Sequence, residues 1–345
     1  MDGKNKQTVG SLFAGIGGIC LGFKEAGCDV LWANEWDKHA CMTYRHNLPD
    51  HRLVEGDMHG IADPLKELGY VDILTSGFPC QAFSVAGYKR GFKDPRGNLF
   101  FETARFIDSI KPRAFLLENV SNLRTHDGGN TFRVIGKFLT RKLGYSFIPF
   151  VLDSKDYGNI PQTRERIYIV GFRGEADHAH SDGVDLFASG AEANGSCTYG
   201  FMVPEKVRLT RGIRDLMEGG RQPDKYYYKP GHIYYERLKK AAVHRSTIYQ
   251  WRRVYVRENQ SNLCPTLTAN MGTGGHNVPI IIDDFGLRKL TPGECLRFQG
   301  FPDWFSFPEG MGDSHCYKQA GNSVVVPVVE RIAKAMLVAL GRPAV

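Results

Sequence analysis

Short apolar runs alternate with glycine-rich or polar segments through the first half of the chain. The runs that have the length of buried strands lie at residues 8–13, 28–33, 53–57, 71–76, 113–117 and 167–170. The segments between them that have the pattern of helices lie at residues 19–26, 99–110 and 132–142. This alternation predicts an α/β domain built on a mostly parallel sheet.

The pattern changes after Gly171. Residues 178–200 are mainly small and polar, which is typical of loops. Residues 205–257 contain 14 Lys and Arg but only 5 Asp and Glu, with tyrosines and Trp251 interleaved among the cations. Such a segment suits contact with phosphates and bases, although a solvated basic surface over core aromatics has the same composition. Near the C-terminus, Thr291 and Pro292 predict a helix start, and residues 328–340 predict an apolar helix.

Composition narrows the class of protein further. The chain has 345 residues, which suggests two domains at about 150 residues each. Its net charge of +7 permits a nucleic-acid partner. Neither a signal peptide nor a membrane-spanning run is recognisable, and none of the eight cysteines forms a C-x-x-C pair, so we expect no zinc site and a reduced, cytoplasmic protein without a membrane partner.

The segment Gly77-Phe78-Pro79-Cys80-Gln81 follows a predicted strand. Gly77 and Pro79 end that strand, which leaves Cys80 at its carboxyl end, where open α/β sheets bind ligands. A thiol there becomes a nucleophile if its surroundings favour the thiolate. The alternative is a small buried apolar residue.

Two further features resemble a nucleotide site. The segment Phe13-Ala14-Gly15-Ile16-Gly17-Gly18 enters a helix, but Cys20 stands where a pyrophosphate-binding loop has its third glycine. The loop therefore suits an adenosine ligand without phosphate, or is a packing turn. Glu35 follows Gly15 by 20 residues, the spacing of a ribose-binding carboxylate. Trp36 is placed for an adenine face and Asp57 for its amino group, although a partly buried Trp36 and solvated carboxylates are the plainer interpretations.

Acidic and basic side chains stand near other strand ends. Glu118 follows the strand at residues 113–117, where partial shielding would raise its pKa and make it a proton donor. Arg164 and Arg166 precede the strand at 167–170 and indicate fixed donors or a structural ion-pair network. The glycine-rich loop at residues 82–98 has the character of a lid or of a surface excursion.

Five motifs in a fixed order resemble those of DNA cytosine-5 methyltransferases of the bacterial restriction-modification type. They are Phe13-Ala14-Gly15-Ile16-Gly17-Gly18, Pro79-Cys80-Gln81, Glu118-Asn119-Val120, Gln162-x-Arg164-x-Arg166 and Gly321-Asn322-Ser323. The resemblance implies a Rossmann-like S-adenosylmethionine-dependent methyltransferase sheet with a smaller target-recognition domain. Each motif alone is weak, whereas all five in order are specific.

The resemblance also implies residue roles. Cys80 would attack C6 of a flipped-out cytosine, Glu118 would contact N3 and supply the proton, and Arg166, assisted by Arg164, would hold O2. The residues implied for S-adenosylmethionine are Phe13, Ala14, Gly15, Ile16, Gly17, Gly18, Glu35, Trp36, Asp57, Met58, Pro79, Leu99, Asn322 and Ser323. Those implied for DNA are Gln81, Ser84, Arg96 and Thr266.

The implied organisation places the catalytic and cofactor-binding domain at residues 1–178 and 316–345, and the target-recognition domain with its hinge at 179–315. The implied partner is double-stranded DNA, bound by a monomer in the bacterial cytoplasm and on the nucleoid. A cognate restriction endonuclease would act separately.

Three alternatives are compatible with parts of this pattern. A tRNA cytosine-5 methyltransferase has the same fold, and the basic segment does not exclude RNA. A non-catalytic DNA-binding relative would not need Cys80, Glu118 and Arg166 together. An NAD-dependent oxidoreductase would use Glu35 in the same way, but the missing third glycine disfavours it.

Overall fold

The computed structural model describes residues 6–79, 99–174, 200–252, 254–272 and 278–341. Its helices are α1 (Gly18–Glu25), α2 (Lys38–Asn47), α3 (Pro64–Leu68), α4 (Leu99–Ile110), α5 (Asn130–Lys137), α6 (Ser154–Tyr157), α7 (Tyr235–Ala241), α8 (Pro292–Phe298), α9 (Asp313–Asn322) and α10 (Val326–Leu340). Its strands are β1 (Thr8–Leu12), β2 (Asp29–Glu35), β3 (Arg52–Glu55), β4 (Ile73–Ser76), β5 (Ala114–Val120), β6 (Ile148–Asp153), β7 (Gln162–Thr163), β8 (Glu165–Phe172), β9 (Tyr249–Arg252), β10 (Tyr255–Glu258), β11 (Cys264–Pro265), β12 (Ile280–Ile282) and β13 (Leu287–Lys289).

The larger sheet has seven strands in the order β3-β2-β1-β4-β5-β8-β6. Strand β8 is antiparallel to both of its neighbours, and the other pairs are parallel. The strand order reverses between β1 and β4, so their carboxyl ends flank the crevice in which open α/β sheets bind ligands. The predicted α/β fold is confirmed.

Apolar side chains pack on both faces of this sheet. One cluster contains Val9, Ile73 and Leu116 together with α1 and α10, and the other contains Leu12, Leu74 and the aromatic residues of α4. Alternate residues of each strand thus enter opposite clusters, as the period of a strand requires. The sheet is buried between two layers of helices.

The C-terminal helix α10 packs against α1. A side-chain carbon built at Gly22 would lie 2.8 Å from Val329, so the two helices approach as closely as a glycine allows. The guanidinium of Arg113, just before β5, donates to the Leu340 carbonyl over 2.9 Å. The end of the chain is therefore part of the same core as its beginning.

A second, antiparallel sheet has the order β10-β9-β12-β13 and lies within residues 249–289. Leu238 of α7 and Trp251 of β9 belong to a small cluster on one of its faces. Ile281 belongs instead to the large cluster that covers the first sheet. The predicted division at residues 178 and 316 stays a prediction, because one core contains side chains from both proposed parts.

Several boundaries differ from those predicted from the sequence, and two of them shape the site. Strand β5 continues to Val120 because it is paired with β8 over its whole length, with Val120 opposite Arg166. Gly321 and Asn322 end the helix α9 rather than forming a separate turn. Among the helices of the described residues, none is long and apolar enough to cross a lipid bilayer.

Candidate active site

A cavity of about 550 Å³, here the central cavity, opens where β1, β4 and β5 end. It contains many of the residues that the sequence singled out. Those that line it are Phe13, Ala14, Gly15, Ile16, Gly18, Glu35, Trp36, Pro79, Glu118, Arg166, Asn322 and Ser323. The glycine loop between β1 and α1, the segment that ends at Pro79, the end of α9 and the paired strands β5 and β8 therefore form the walls of one cavity.

The loop between β1 and α1 is shaped by left-handed backbone conformations. Phe13 has φ 52°, an uncommon value for a residue with a side chain, and Gly17 has φ 94°. A side-chain carbon at Gly18 would lie only 2.6 Å from the Ser323 hydroxyl. Glycine at this position therefore lets the start of α1 approach the end of α9.

Glu35 is a buried carboxylate in a fixed position. One of its oxygens accepts the backbone N–H of Gly15 over 2.8 Å, and the other accepts those of Trp36 and Asp37 over 3.0 and 2.9 Å. The side chain thereby joins β2 to the glycine loop. Trp36 beside it is 73% exposed, so a large aromatic ring stands at the rim of the central cavity.

The other predicted cofactor positions lie outside the cavity lining. Gly17 packs behind the loop, with Leu48 and Tyr44 where its side chain would be. The exposed Asp57 accepts the ring and backbone N–H groups of His59, and these bonds lower the pKa of its carboxyl. Met58 is buried, and Leu99 begins α4.

Glu118 and Arg166 form an ion pair in the wall of the cavity. Arg166 Nε lies 3.1 Å from Glu118 Oε1, and both side chains are largely buried. Burial raises the pKa of the Glu118 carboxyl, whereas the guanidinium groups of Arg166 and Arg164 oppose that shift. A carboxyl with a raised pKa beside a ligand cavity is suited to donate a proton.

The loop after β4 runs along this pair. A side-chain carbon at Gly77 would lie 3.6 Å from Glu118 Oε2. Asn119 Nδ2 donates to the Phe78 carbonyl over 2.7 Å, which fixes the loop against β5. The sequence predicts no separate role for Asn119, although its position next to Glu118 is a signal. Pro79 lines the cavity, whereas Cys80, Gln81, Ser84 and Arg96 lie outside the described residues.

Arg164 is buried behind the cavity wall and does not line it. Its guanidinium donates to the carbonyls of Leu267, Gly321 and Ser323, the first two over 2.7 and 3.0 Å. Burial and the neighbouring Arg166 lower its pKa to about 9. These contacts suit a residue that positions the walls better than one that touches a substrate.

Lys318 is a cavity residue that the sequence reasoning missed. Its Nζ lies 2.7 Å from Asp37 Oδ2, and both side chains line the cavity. Nearby, the rings of His39 and His315 stack with centroids 3.6 Å apart. Because α9 was not predicted as a helix, nothing indicated that residue 318 would share a wall with Asn322, one helical turn later.

A second cavity of about 910 Å³, here the polar cleft, lies between strands β9 and β10 of the smaller sheet and the parallel pair of short strands β7 and β11. Its lining includes Thr163, Thr266, Gln250, Arg252 and Arg257. The Thr266 hydroxyl donates to the Thr163 carbonyl, which joins its segment to the end of β7. Thr268 lines both the polar cleft and the central cavity, so the two chambers share a wall.

Comparisons with known proteins agree on one family. The family model described as C-5 cytosine-specific DNA methylase matches residues 7–338. The Type II methyltransferase M.Bsp6I of Bacillus sp. (strain RFL6) is 48% identical over 330 residues, which cover 94% of this chain and 97% of that protein. The Type II methyltransferase M.NgoBI of Neisseria gonorrhoeae is 39% identical over 323 residues, covering 94% and 90%.

Solved structures share the fold at lower sequence identity. A mutant of Spodoptera frugiperda DNMT2 superposes with a TM-score of 0.69 at 18% identity, covering 96% of this chain and 100% of that one. The Dnmt2 methyltransferase of S. pombe superposes with a TM-score of 0.68 at 19% identity, covering 98% and 100%. At these identities the likeness concerns the arrangement of helices and strands.

Proposed function

The chain belongs to the C-5 cytosine-specific DNA methylase family, and we propose that it transfers the methyl group of S-adenosylmethionine to C5 of a cytosine in a specific DNA sequence, through a covalent bond between Cys80 and C6. Membership confirms the resemblance of its motifs and makes it a DNA cytosine-5 methyltransferase. The observation that carries the proposal is the single cavity that joins the glycine loop, Glu35 and the Glu118–Arg166 pair.

The central cavity fits the proposed cofactor. Its volume of about 550 Å³ is that of a small-molecule site, and the glycine loop leaves open space beside Gly15, where a side-chain carbon would meet no atom within 4 Å. Glu35 would accept the ribose hydroxyls, Trp36 would lie against the adenine, and Asn322 with Ser323 would hold the amino acid part. When bound, S-adenosylmethionine supplies an electrophilic methyl group.

The target carbon needs activation, because C5 of cytosine is a weak nucleophile. In the proposed route the Cys80 thiolate adds to C6, and the electrons of the C5–C6 double bond make C5 electron-rich. Glu118 donates its proton to N3, which accepts the charge that the addition creates. After methylation, loss of the C5 proton, elimination of the Cys80 sulfur as thiolate and return of the N3 proton to Glu118 restore the aromatic ring and the acid.

The positions of Glu118 and Arg166 support these roles in proton donation and base binding. Burial shifts the pKa of Glu118 upward, in the direction that favours the protonated form N3 requires, and Arg166 holds the carboxyl in place from the neighbouring strand. The arginine would also donate to O2 of the base. Because the reacting atoms of cytosine are stacked inside a duplex, the base would have to flip out, at a cost of a few kcal/mol.

The polar cleft supports double-stranded DNA as the substrate, since cations, amides and hydroxyls line a groove beside the catalytic chamber. We assign target recognition to residues 179–315 and the chemistry to the remainder, with Thr266 at the DNA backbone. The relatives are bacterial Type II methyltransferases. We propose that this chain acts as a monomer in the bacterial cytoplasm, with a cognate endonuclease that acts separately.

The test is transfer of a tritiated methyl group from S-adenosylmethionine to unmethylated genomic DNA, with tRNA in parallel and bisulfite sequencing of the product. We expect 5-methylcytosine in one recurring DNA sequence. Label in tRNA alone would replace DNA by tRNA as the substrate. Cys80→Ser should abolish turnover and leave DNA affinity within a few-fold, and equal loss of both would remove Cys80 as the nucleophile.

A further inference from the structure

Strands β9 and β10 form a two-stranded antiparallel ribbon at the edge of the smaller sheet. Gln250 is paired with Arg257, and Arg252 with Tyr255, while β10 has no further strand beside it in the described sheet. Successive side chains of a strand point to opposite faces, so these four residues share one face of the ribbon.

The other face of the ribbon is occupied by the core. Tyr249 and Trp251 are buried in the small cluster with Leu238 and Ile280, and Val256 packs against it. The ribbon is therefore anchored on one side, and it turns Gln250, Arg252 and Arg257 toward the polar cleft.

The two arginines keep hydrogen-bond donors for a partner. Arg252 Nη2 donates to Gln250 Oε1 over 3.0 Å, which fixes the guanidinium, while Arg257 is exposed. The carboxylate that lines the cleft, Glu258, is 2.7 Å from His244. Within the described parts of the chain, neither arginine forms an ion pair with a carboxylate.

This arrangement matches the chemistry of base reading. The major groove of DNA admits a two-stranded ribbon, and the bidentate contact of an arginine with O6 and N7 of guanine is its commonest specific contact. The polar cleft also shares Thr268 with the cavity in which the target cytosine would react. A reader on this ribbon would therefore lie beside the methylated base.

We propose that Arg252 and Arg257 each read a guanine near the target cytosine, with Gln250 positioning Arg252. The inference rests on the proposed function, because it names the residues that make methylation sequence-specific. Its competitor is contact of both arginines with phosphates, which carries no sequence information.

Lysine variants separate the two contacts, because lysine keeps the charge that binds phosphate but lacks the fork that matches guanine. Wild type, Arg252→Lys and Arg257→Lys would each select duplexes from a randomised pool, and the bound fraction would be sequenced. Arg141→Lys, a matched substitution at an exposed position outside residues 179–315, is the control. The same pool would be methylated and read by bisulfite sequencing.

Each lysine variant should lose about 10- to 100-fold of the preference for guanine at one position, at a different position for each, while total affinity changes little. Preferences unchanged in both variants would overturn the proposal. A wild type without guanine preference would also overturn it. So would Arg252→Ala and Arg257→Ala variants that bind all DNA sequences equally more weakly and whose affinity depends less on salt, with the slope of log affinity against log salt concentration reduced by about one.

Duplex selection measures guanine reading and bisulfite sequencing measures methylation, so the two experiments distinguish failure of this inference from failure of the proposed function. Wild type that selects guanine-containing duplexes without methylating DNA would contradict the function and keep the ribbon as a reader. Methylation with guanine preferences intact in both lysine variants would do the reverse. Substitution of the half-buried Arg252 could impair folding. The proposal is then tested by Arg257→Lys alone, because Arg257 is exposed and its substitution should leave the fold intact.

Discussion

Glu118 and Arg166 come from neighbouring antiparallel strands, and the ladder between β5 and β8 sets the distance between their side chains. The carboxyl is therefore held beside a cation in a place where water is largely excluded. Burial and charge act on its pKa in opposite directions, with burial the larger effect. For single residues, the balance between burial and the neighbouring cation therefore sets how readily the Glu118 carboxyl holds or releases a proton.

Glu118→Gln should lower the rate of methyl transfer by about 10²- to 10⁴-fold, the usual contribution of a positioned proton donor. The amide keeps the size of the side chain but cannot give up a proton. Single-turnover transfer measures the chemical step. Glu309→Gln, at an exposed position, should leave the rate unchanged, and an unimpaired Glu118→Gln would exclude this carboxyl as the acid.

The pH dependence follows from the same carboxyl. Only its protonated form donates, so kcat/KM should fall as pH rises through the raised pKa, which lies above the usual value of about 4.3. Because Arg166 lowers this pKa, Arg166→Gln should move the descending limb to higher pH while reducing activity. The exposed Lys137→Gln should leave the profile in place, and a shift to lower pH in Arg166→Gln would contradict the assignment.

At the scale of elements, the stretch from β7 to β8 is a joint between distant segments. Gln162 Nε2 donates to the Phe298 carbonyl over 2.6 Å, and its Oε1 accepts the Leu267 N–H over 3.0 Å. Arg164 adds its bonds to Leu267, Gly321 and Ser323. Two side chains at alternate positions thus connect α8, the segment after β11 and the end of α9.

Arg164→Met should lower the free energy of unfolding by about 2–4 kcal/mol, because buried carbonyls would lose their charged donor. It should also raise KM for S-adenosylmethionine, since all three of these carbonyls belong to residues that line the central cavity. Urea unfolding and initial rates measure the two effects. Arg208→Met, an exposed change, is the control, and a fully stable Arg164→Met would refute the role of a joint.

The sequence predicted the elements whose signals are local. Glycines and apolar runs indicated the loop before α1, and the periodicity of α4 gave its observed bounds, Leu99–Ile110. The α/β sheet and the residues around the central cavity followed from the order of these elements. Their periods and turn residues are properties of contiguous segments, which is why a single chain displays them.

Contacts between distant segments were not predictable in this way. Strands of three or four residues, such as β9 and β12, are shorter than a reliable periodic window, and they exist through pairing with one another. The alternation of Gln162, Arg164 and Arg166 placed them on one face, but only tertiary packing decides which of them meets the cavity. Lys318 was missed for the same reason.

At the scale of the whole molecule, one apolar cluster holds the two proposed domains together. It includes Val170 of the larger sheet, Ile281 of the smaller sheet and Leu296 of α8. The C-terminal helix completes the cluster from the far end of the chain. Separation of the parts would expose a continuous apolar surface to water.

We therefore expect one cooperative unfolding transition for the full chain. In differential scanning calorimetry the calorimetric and van't Hoff enthalpies should agree, as they do when a protein unfolds as a unit. The isolated segment 179–315 should fail to show a melting transition of its own. Two resolved transitions, or an independently folded segment, would show that the domains are energetically separate.

Thr268 and its neighbours form the partition between the central cavity and the polar cleft. A ligand that displaces residues on one side of this shared wall changes the shape of the cavity on the other side. Thermodynamic linkage makes this influence reciprocal: by whatever factor the bound methyl donor tightens the hold on DNA, DNA tightens the hold on the donor. We therefore expect the affinity of this enzyme for either ligand to depend on the concentration of the other.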